Sequence, residues 1–107
     1  MKDQIKVIIK RPYEPLGRTR AIPNTLECLQ DLVGGYIETI HIAPGLLLIC
    51  NEEGKLHQLP INFSTPHDIF CGTVVICGED GEEFDDVPIP LRIWESYLRI
   101  WKGGDDI

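Results

Sequence analysis

Short apolar runs with the character of β-strands constrain the fold of this chain most strongly. They lie at 5–10, 36–43, 46–50 and 69–78, and turn residues, charged residues or a helical pattern separate them. The run 46–50, LLLIC, is apolar at every position, which is typical of a strand covered on both faces. Because strands dominate the middle of the chain and no strand–helix alternation develops, the pattern favours an antiparallel sheet.

Two segments have the period of amphipathic helices. The first follows Asn24, which with Glu27 three residues later resembles a capping box, and ends at 34–35, Gly-Gly. The second, 91–102, follows two prolines and has an apolar and aromatic stripe. We therefore predict one α+β domain over 1–107. Its mostly antiparallel sheet of about five strands is covered by one helix after the first strand and by a C-terminal helix.

The connections carry more specific predictions. Two prolines and a glycine predict a loop over 11–20, RPYEPLGRTR. The tetrad 51–54, NEEG, is predicted to turn the strand 46–50 into a second strand at 55–60. The segment 61–68 has the composition of a loop.

The reactive residue types do not form a catalytic or metal-binding pattern. The four cysteines lie in apolar runs without a C-x-x-C pair, which favours buried, reduced thiols. Cys71 and Cys77 are predicted to share one strand, about 20 Å apart. The three histidines lack metal-ligand spacing, and neither serine stands in a nucleophile motif. We expect no cofactor, no metal and no enzymatic activity.

Charge and hydropathy limit the partners. A net charge of −7 argues against direct nucleic-acid binding. The charges are uneven, since 1–20 holds six basic residues against two acids and 79–86 holds six acids. Without a membrane-spanning apolar run or a signal-peptide pattern, a cytoplasmic protein is expected.

The segment 11–20 is the best candidate for ligand binding. Arg11, Arg18 and Arg20 can hold phosphates through paired hydrogen bonds, and Tyr13 can stack on a planar group. An ordinary exposed basic loop is the alternative.

The aromatic stripe of the second helix also allows two interpretations. Trp94, Tyr97 and Trp101 follow helical spacing. Such a stripe either packs into the core or anchors an interface with a partner subunit, which is consistent with a homo-oligomer.

Several sequence motifs together resemble a known family. They read NTLE, LQ, VGG and IE, then ICNEEGKL, LP, N, GT and I, and occupy Asn24 to Glu27, Leu29-Gln30, Val33 to Gly35, Ile37-Glu38, Ile49 to Leu56, Leu59-Pro60, Asn62, Gly72-Thr73 and Ile76. Over about 5–78 the chain resembles the family named domain of unknown function 3846. The resemblance implies a home in phages, plasmids and conjugative elements of Gram-positive bacteria, and implies no known reaction or catalytic residue. It also makes a recognition surface beside the NEEG turn more credible.

Our first functional hypothesis is a non-enzymatic phage or mobile-element accessory protein that sequesters a nucleotide-like, anionic defence signal in the host cytoplasm. The arginines and Lys55 would bind the phosphates of the ligand, and Tyr13 would stack on its base. The polar side chains near the turn would form hydrogen bonds with the polar edges of the ligand. The predicted ligand-binding residues are Arg11, Tyr13, Arg18, Arg20, Asn51, Glu53, Lys55 and Asn62.

The alternative hypothesis is a protein–protein inhibitor or adaptor. Its acidic stretch, 79–86, would engage a basic surface of a host nucleic-acid-binding or defence protein, with Trp94 and Trp101 as anchors. An enzyme is the third and weakest hypothesis.

Overall fold

A computed structural model of the protein describes residues 2–102. Strands and helices follow one another as β1 (Gln4–Lys10), β2 (Arg18–Pro23), α1 (Leu26–Val33), β3 (Ile37–Ala43), β4 (Leu46–Asn51), β5 (Ile61–Ser64), β6 (Ile69–Cys71), β7 (Val74–Asp80), β8 (Glu83–Asp85) and α2 (Leu91–Trp101). The α+β prediction, with a helix near the C-terminus, is confirmed.

All strand pairs in the described residues are antiparallel. The main sheet has six strands in the order β2-β1-β7-β4-β3, with β8 paired to β7, and β5 and β6 form a separate small sheet. The edges of the main sheet are therefore β2 on one side and β3 on the other.

Both faces of the main sheet are covered. Side chains of Leu47 and Ile49 in β4 join the core beneath α1, whereas Leu48 and Cys50 join the core beneath α2. Every residue of β4 is buried, as the continuous apolar run predicted. The α1 side and the α2 side of the sheet are named below after these two cores.

The predicted loop 11–20 is wrong at its last three residues, 18–20. Residues 18–23 form β2, which pairs with β1 so that the buried Ile22 lies opposite Ile5. The first helix consequently follows the second strand. Its N-cap is Thr25, whose hydroxyl accepts a hydrogen bond from the backbone N–H of Cys28 at 3.1 Å, rather than Asn24.

The NEEG tetrad does not join two paired strands. Residues 52–58 form successive turns, the strand predicted at 55–60 is absent, and β5 begins at 61 within the predicted loop. The backbone at Gly54 lies close to β6, because a Cβ there would be 2.8 Å from the carbonyl oxygen of Cys71. The chain thus packs against β6 instead of folding back on β4.

The single strand predicted over 69–78 is divided by Gly72. Its φ of +83° ends β6, so that Cys71 and Cys77 lie on different strands. A Cβ at Gly72 would also lie 2.8 Å from Cδ1 of Leu59. The backbone conformation therefore favours glycine, and a side chain at this position would also require Leu59 to shift.

Gly72→Ala should therefore lower the free energy of unfolding more than Gly45→Ala does. Gly45 has a similar φ of +75°, but no atom lies within 4 Å of its added Cβ. We expect a loss of about 1 kcal/mol for Gly45→Ala and of about 2–3 kcal/mol for Gly72→Ala. Urea denaturation measures both, and equal losses would contradict the close packing of Leu59.

Candidate functional site

Lys10, the last residue of β1, is a basic residue in a buried position. It is only 4% exposed, and it lies opposite Val74 on the α2 side of the sheet. Its Nζ donates to Oδ1 of Asn62 at 2.5 Å and to the carbonyl oxygen of Arg11 at 3.5 Å. It also stands 5.9 Å from the ring centroid of Phe63. Among residues 2–102, no carboxylate forms a salt bridge with it.

This environment disfavours the charged form of the side chain. Burial lowers the pKa of Lys10 below its ordinary value of 10.5, and the negative charge of Glu14 opposes the shift. A buried ammonium bonded only to neutral acceptors costs folding free energy. Buried ionisable residues with a shifted pKa are concentrated at functional sites, because binding and catalysis need such groups even though they lower the stability of the fold.

Asn62 fixes Lys10 in place. Its Oδ1 accepts the bond from Nζ, while its Nδ2 donates to the carbonyl oxygens of Lys10 and of Gly72, each at 2.8 Å. One amide thereby ties β5 to the end of β1 and to the turn before β7.

The loop 11–17 is ordered around Glu14. Its carboxylate accepts from the backbone N–H of Arg11 at 3.1 Å and from Nε of Arg18 at 3.0 Å. The bond from that N–H and the two guanidinium charges hold the pKa of Glu14 below its usual range. Nε1 of Trp94 donates to the carbonyl oxygen of Leu16 at 3.0 Å, which fastens the loop to α2.

These elements enclose a cleft of about 470 Å³, which we call the Lys10 cleft. Its walls come from the loop, from β5 and from the end of α2, and Lys10 lies in its lining. Phe63 and Trp101 also line it and stack with ring planes 2° apart and centroids 5.5 Å apart. Tyr13 lines it too and is 85% exposed, so its ring is open to a ligand.

Comparison with known proteins identifies the family. A family model described as Domain of unknown function (DUF3846) matches residues 5–98. The chain belongs to the DUF3846 family. No curated protein and no solved structure matches this DUF3846 chain.

The cleft contains two of the eight predicted ligand-binding residues, Tyr13 and Asn62. The amide of Asn62 is engaged by the protein itself, so that its role is to position Lys10. Lys10 was not among the predicted site residues, because alternation along the strand 5–10 places Lys6 and Lys10 on one face and two lysines favour an exposed face. The signal was Ile8, an apolar residue on that face, which is fully buried.

The predicted arginines serve the loop and the opposite side of the sheet. Arg11 and Arg18 both form ion pairs with Glu14. Arg20 lies opposite Val7 in the strand register and therefore on the α1 side, away from Lys10. None of the three is in the lining of the Lys10 cleft.

The remaining predicted residues lie beside the NEEG turn, where they line a cleft of about 380 Å³. Asn51 is buried, and its side chain accepts from the N–H of Glu53 at 2.7 Å and donates to the carbonyl oxygen of Val33 at 3.2 Å. Lys55 forms an ion pair with Asp68, and that hydrogen bond raises the pKa of Lys55. Asn51 therefore ties the turn to α1, and the charge of Lys55 is already compensated.

The aromatic stripe of α2 belongs mainly to the core. Trp94 is fully buried, so it presents no surface to a partner, and its predicted role as an interface anchor is not compatible with the structure. Tyr97 and Trp101 are half-buried and keep some surface open.

The acidic segment is partly neutralised by the protein itself. Lys2 bonds to both Asp85 and Asp86 at 2.8 Å, which lowers the pKa of each carboxyl. Glu79 pairs with a histidine of β3 at 2.7 Å. The acids without such partners in the described chain lie at the hairpin tip, 80–83.

The cysteines are free, and three of them are buried. Burial raises the pKa of Cys50 and of Cys77 to about 12, so that both remain protonated and are poor nucleophiles. Residues 2–102 contain no group of three potential metal ligands, and no helix among them is long and apolar enough to cross a membrane.

Lys10→Met should be tolerated by the fold. The substitution keeps the side-chain volume and removes a buried charge, so we expect the free energy of unfolding to stay within about 1 kcal/mol of the parent or to rise. Urea denaturation at pH 7 measures it, with Lys6→Met, an exposed lysine of the same strand, as the control for losing one positive charge.

The same pair of proteins tests the pKa of Lys10. Between its lowered folded pKa and its unfolded value of 10.5, the unfolded chain binds more protons, so the parent gains stability as pH rises. Relative to Lys10→Met, the parent should therefore become more stable between pH 7 and pH 10. A relative loss of stability over this interval would mean that folding raises the pKa.

Proposed function

We propose that this protein is a non-enzymatic binding protein that holds an anionic, nucleotide-like ligand in the Lys10 cleft. The observation that carries the proposal is the buried ammonium of Lys10. It has three N–H donors, and its protein acceptors are one amide oxygen and one carbonyl oxygen, the latter at a long 3.5 Å. One N–H of Lys10 remains to donate to a ligand oxygen. An anion would also supply the negative charge that no carboxylate of the described chain places beside Lys10.

The aromatic groups fit a ligand with a planar part. Tyr13 offers an exposed ring on a loop that Glu14 and Trp94 hold in place, so stacking on it requires little reordering. Stacking of a base on an aromatic side chain contributes about 1–3 kcal/mol. Tyr13 would thus hold the planar part while Lys10 meets the anionic part.

The local charge favours this ligand despite the net charge of −7. Lys10 and Lys102 line the cleft against one carboxylate, that of Glu14. Exposed charges farther away than about 8–10 Å are largely screened at physiological salt. Asp80, at the hairpin, lies six residues along β7 from Val74, the partner of Lys10, which corresponds to about 20 Å of strand. The acidic hairpin therefore opposes binding less than its charge count suggests.

The side chains of the Lys10 cleft support binding of a ligand rather than its chemical conversion. Lys10, Asn62 and Glu14 are held by internal hydrogen bonds that give the cleft a fixed form, and preorganisation of this kind increases affinity. The family resemblance implies a phage or mobile-element setting. We therefore place the ligand among the nucleotide signals of bacterial defence, sequestered in the host cytoplasm.

Self-association is part of the proposal. Ile93 and Ile100 lie seven residues apart on α2 and are 38% and 72% exposed, which provides an apolar surface for a second copy. The alternative function, inhibition of a basic host protein by the acidic stretch 79–86, has less support because Lys2 already compensates two of the carboxylates.

A thermal-shift and calorimetric screen tests the proposal with nucleoside monophosphates, cyclic mono- and dinucleotides and cyclic ADP-ribose isomers. A ligand that binds only the folded state raises the melting temperature. Lys10→Met should weaken binding at least tenfold, about 1.4 kcal/mol. Arg20→Gln removes one positive charge on the other side of the sheet and should change affinity less than twofold.

Two results would contradict the proposal. The first is that no compound in the panel shifts the melting temperature. The second is equal loss of affinity in Lys10→Met and Arg20→Gln, which would show attraction by overall charge instead of a site at Lys10.

A further inference from the structure

A second cleft, larger than the Lys10 cleft, also lies on the α2 side of the sheet. It has a volume of about 580 Å³ between β3, the loop 65–68 and α2, and we call it the β3 groove. The apolar part of its lining includes Ile40 and Ile42 of β3 and Leu48 of β4. Its size is within the range of small-molecule sites. The proposed function does not use this groove.

Three aromatic residues line the β3 groove, Phe70, Tyr97 and Trp101. The rings of Tyr97 and Trp101 have centroids 5.4 Å apart and planes at 32°, and both side chains are half-buried. Aromatic ring faces carry partial negative charge and attract cations, most strongly where water is excluded.

Two carboxylates line the same groove, Glu38 and Asp68. Asp68 already binds the ammonium of Lys55, so its charge is compensated within the protein. Glu38 has no ion-pair partner among residues 2–102. Its negative charge therefore remains available to a ligand, on the wall of a cleft that also presents aromatic rings.

The β3 groove favours a ligand of opposite charge to the one that the Lys10 cleft favours. An anion would be repelled by the Glu38 carboxylate, whereas a neutral apolar molecule would leave that carboxylate partly desolvated without compensation. A cation with an apolar body satisfies both parts of the groove.

We propose that the β3 groove binds an organic ammonium ion, with its apolar part against Ile40 and Ile42 and its cationic head between the aromatic rings and Glu38. The ammonium belongs either to a small alkylammonium compound or to a methylated lysine side chain of a partner protein. Both sources present the same chemistry to the groove.

Choline and 3,3-dimethyl-1-butanol provide the sharpest test. The two molecules have nearly the same shape, but only choline is charged. Titrations followed by tryptophan fluorescence and by amide NMR shifts should show choline binding at least fivefold more tightly, with the largest shifts at residues of β3 and of 65–70. Equal affinity for the uncharged isostere would overturn the proposal, as would shifts confined to other parts of the chain.

Substitutions identify the groups responsible. Glu38→Gln should weaken choline binding several-fold, and Tyr97→Leu should weaken it at least as much. Glu82→Gln removes a carboxylate at the exposed hairpin tip and should have no effect. Melting temperatures of the variants show that they are folded. Equal weakening by Glu38→Gln and Glu82→Gln would overturn the proposal, because it would mean nonspecific attraction to an acidic protein.

A comparison of two ligands distinguishes the sources. A short peptide with one trimethyllysine is titrated beside free choline, and the unmethylated peptide serves as its control. Tighter binding of the methylated peptide assigns the groove to a partner protein, and tighter binding of choline assigns it to a small molecule. Binding of neither choline nor the methylated peptide would overturn the proposal, and none of these results depends on the Lys10 cleft.

Discussion

The burial of β4 and of most of β7 on both faces determines where the other elements pack. All of β4 and the first five residues of β7 are buried, so the sheet needs a cover on each side. On the α1 side a single short helix contributes most of the cover. On the α2 side the cover is assembled from several pieces, namely α2, the small sheet β5–β6 and the loop 11–17. The Lys10 cleft and the β3 groove lie where these covering elements adjoin one another or the sheet.

An aromatic cluster on the α2 side extends between the Lys10 cleft and the β3 groove. Phe63 stacks on Trp101, which also contacts Trp94 and Tyr97 at centroid distances below 6 Å. Trp101 lines both the Lys10 cleft and the β3 groove, so the same side chain separates a region that favours anions from one that favours cations. Because packed aromatic cores deform little, ligands at either site would meet a largely preformed wall.

Much of the fold follows from local sequence rules, and the exceptions have physical causes. The central strand 46–50 and both helices were predicted because their periodicity and bounding residues agree. Strand β2 was missed because the prolines and glycine of 11–17 extended the loop prediction over 18–20, residues that become a strand only by pairing with β1 across the loop. The NEEG turn was misread because the contact of Gly54 with the Cys71 carbonyl is a tertiary effect.

The candidate site was only partly predictable for a related reason. Tyr13 was identified by residue type, since an aromatic ring beside arginines on a proline-containing loop can stack on a planar group. The ligand-binding prediction for Arg11 and Arg18 did not foresee that both form ion pairs with Glu14, which lies between them in sequence. Lys10 was undervalued because alternation assigns a lysine to solvent unless both faces of its strand are covered. Coverage of both faces depends on the whole fold.

The pKa of Lys10, measured by NMR from the pH dependence of its side-chain carbon and nitrogen shifts, is the sharpest test of a ligand site in the Lys10 cleft. We predict a value below 10.5, with Nζ protected from exchange in the free protein, and an upward shift when an anion binds. A value at or above 10.5 in the free protein would contradict this prediction. Such a value would mean that Lys10 is solvated or already paired with a carboxylate, and the cleft would then lack the group that defines it.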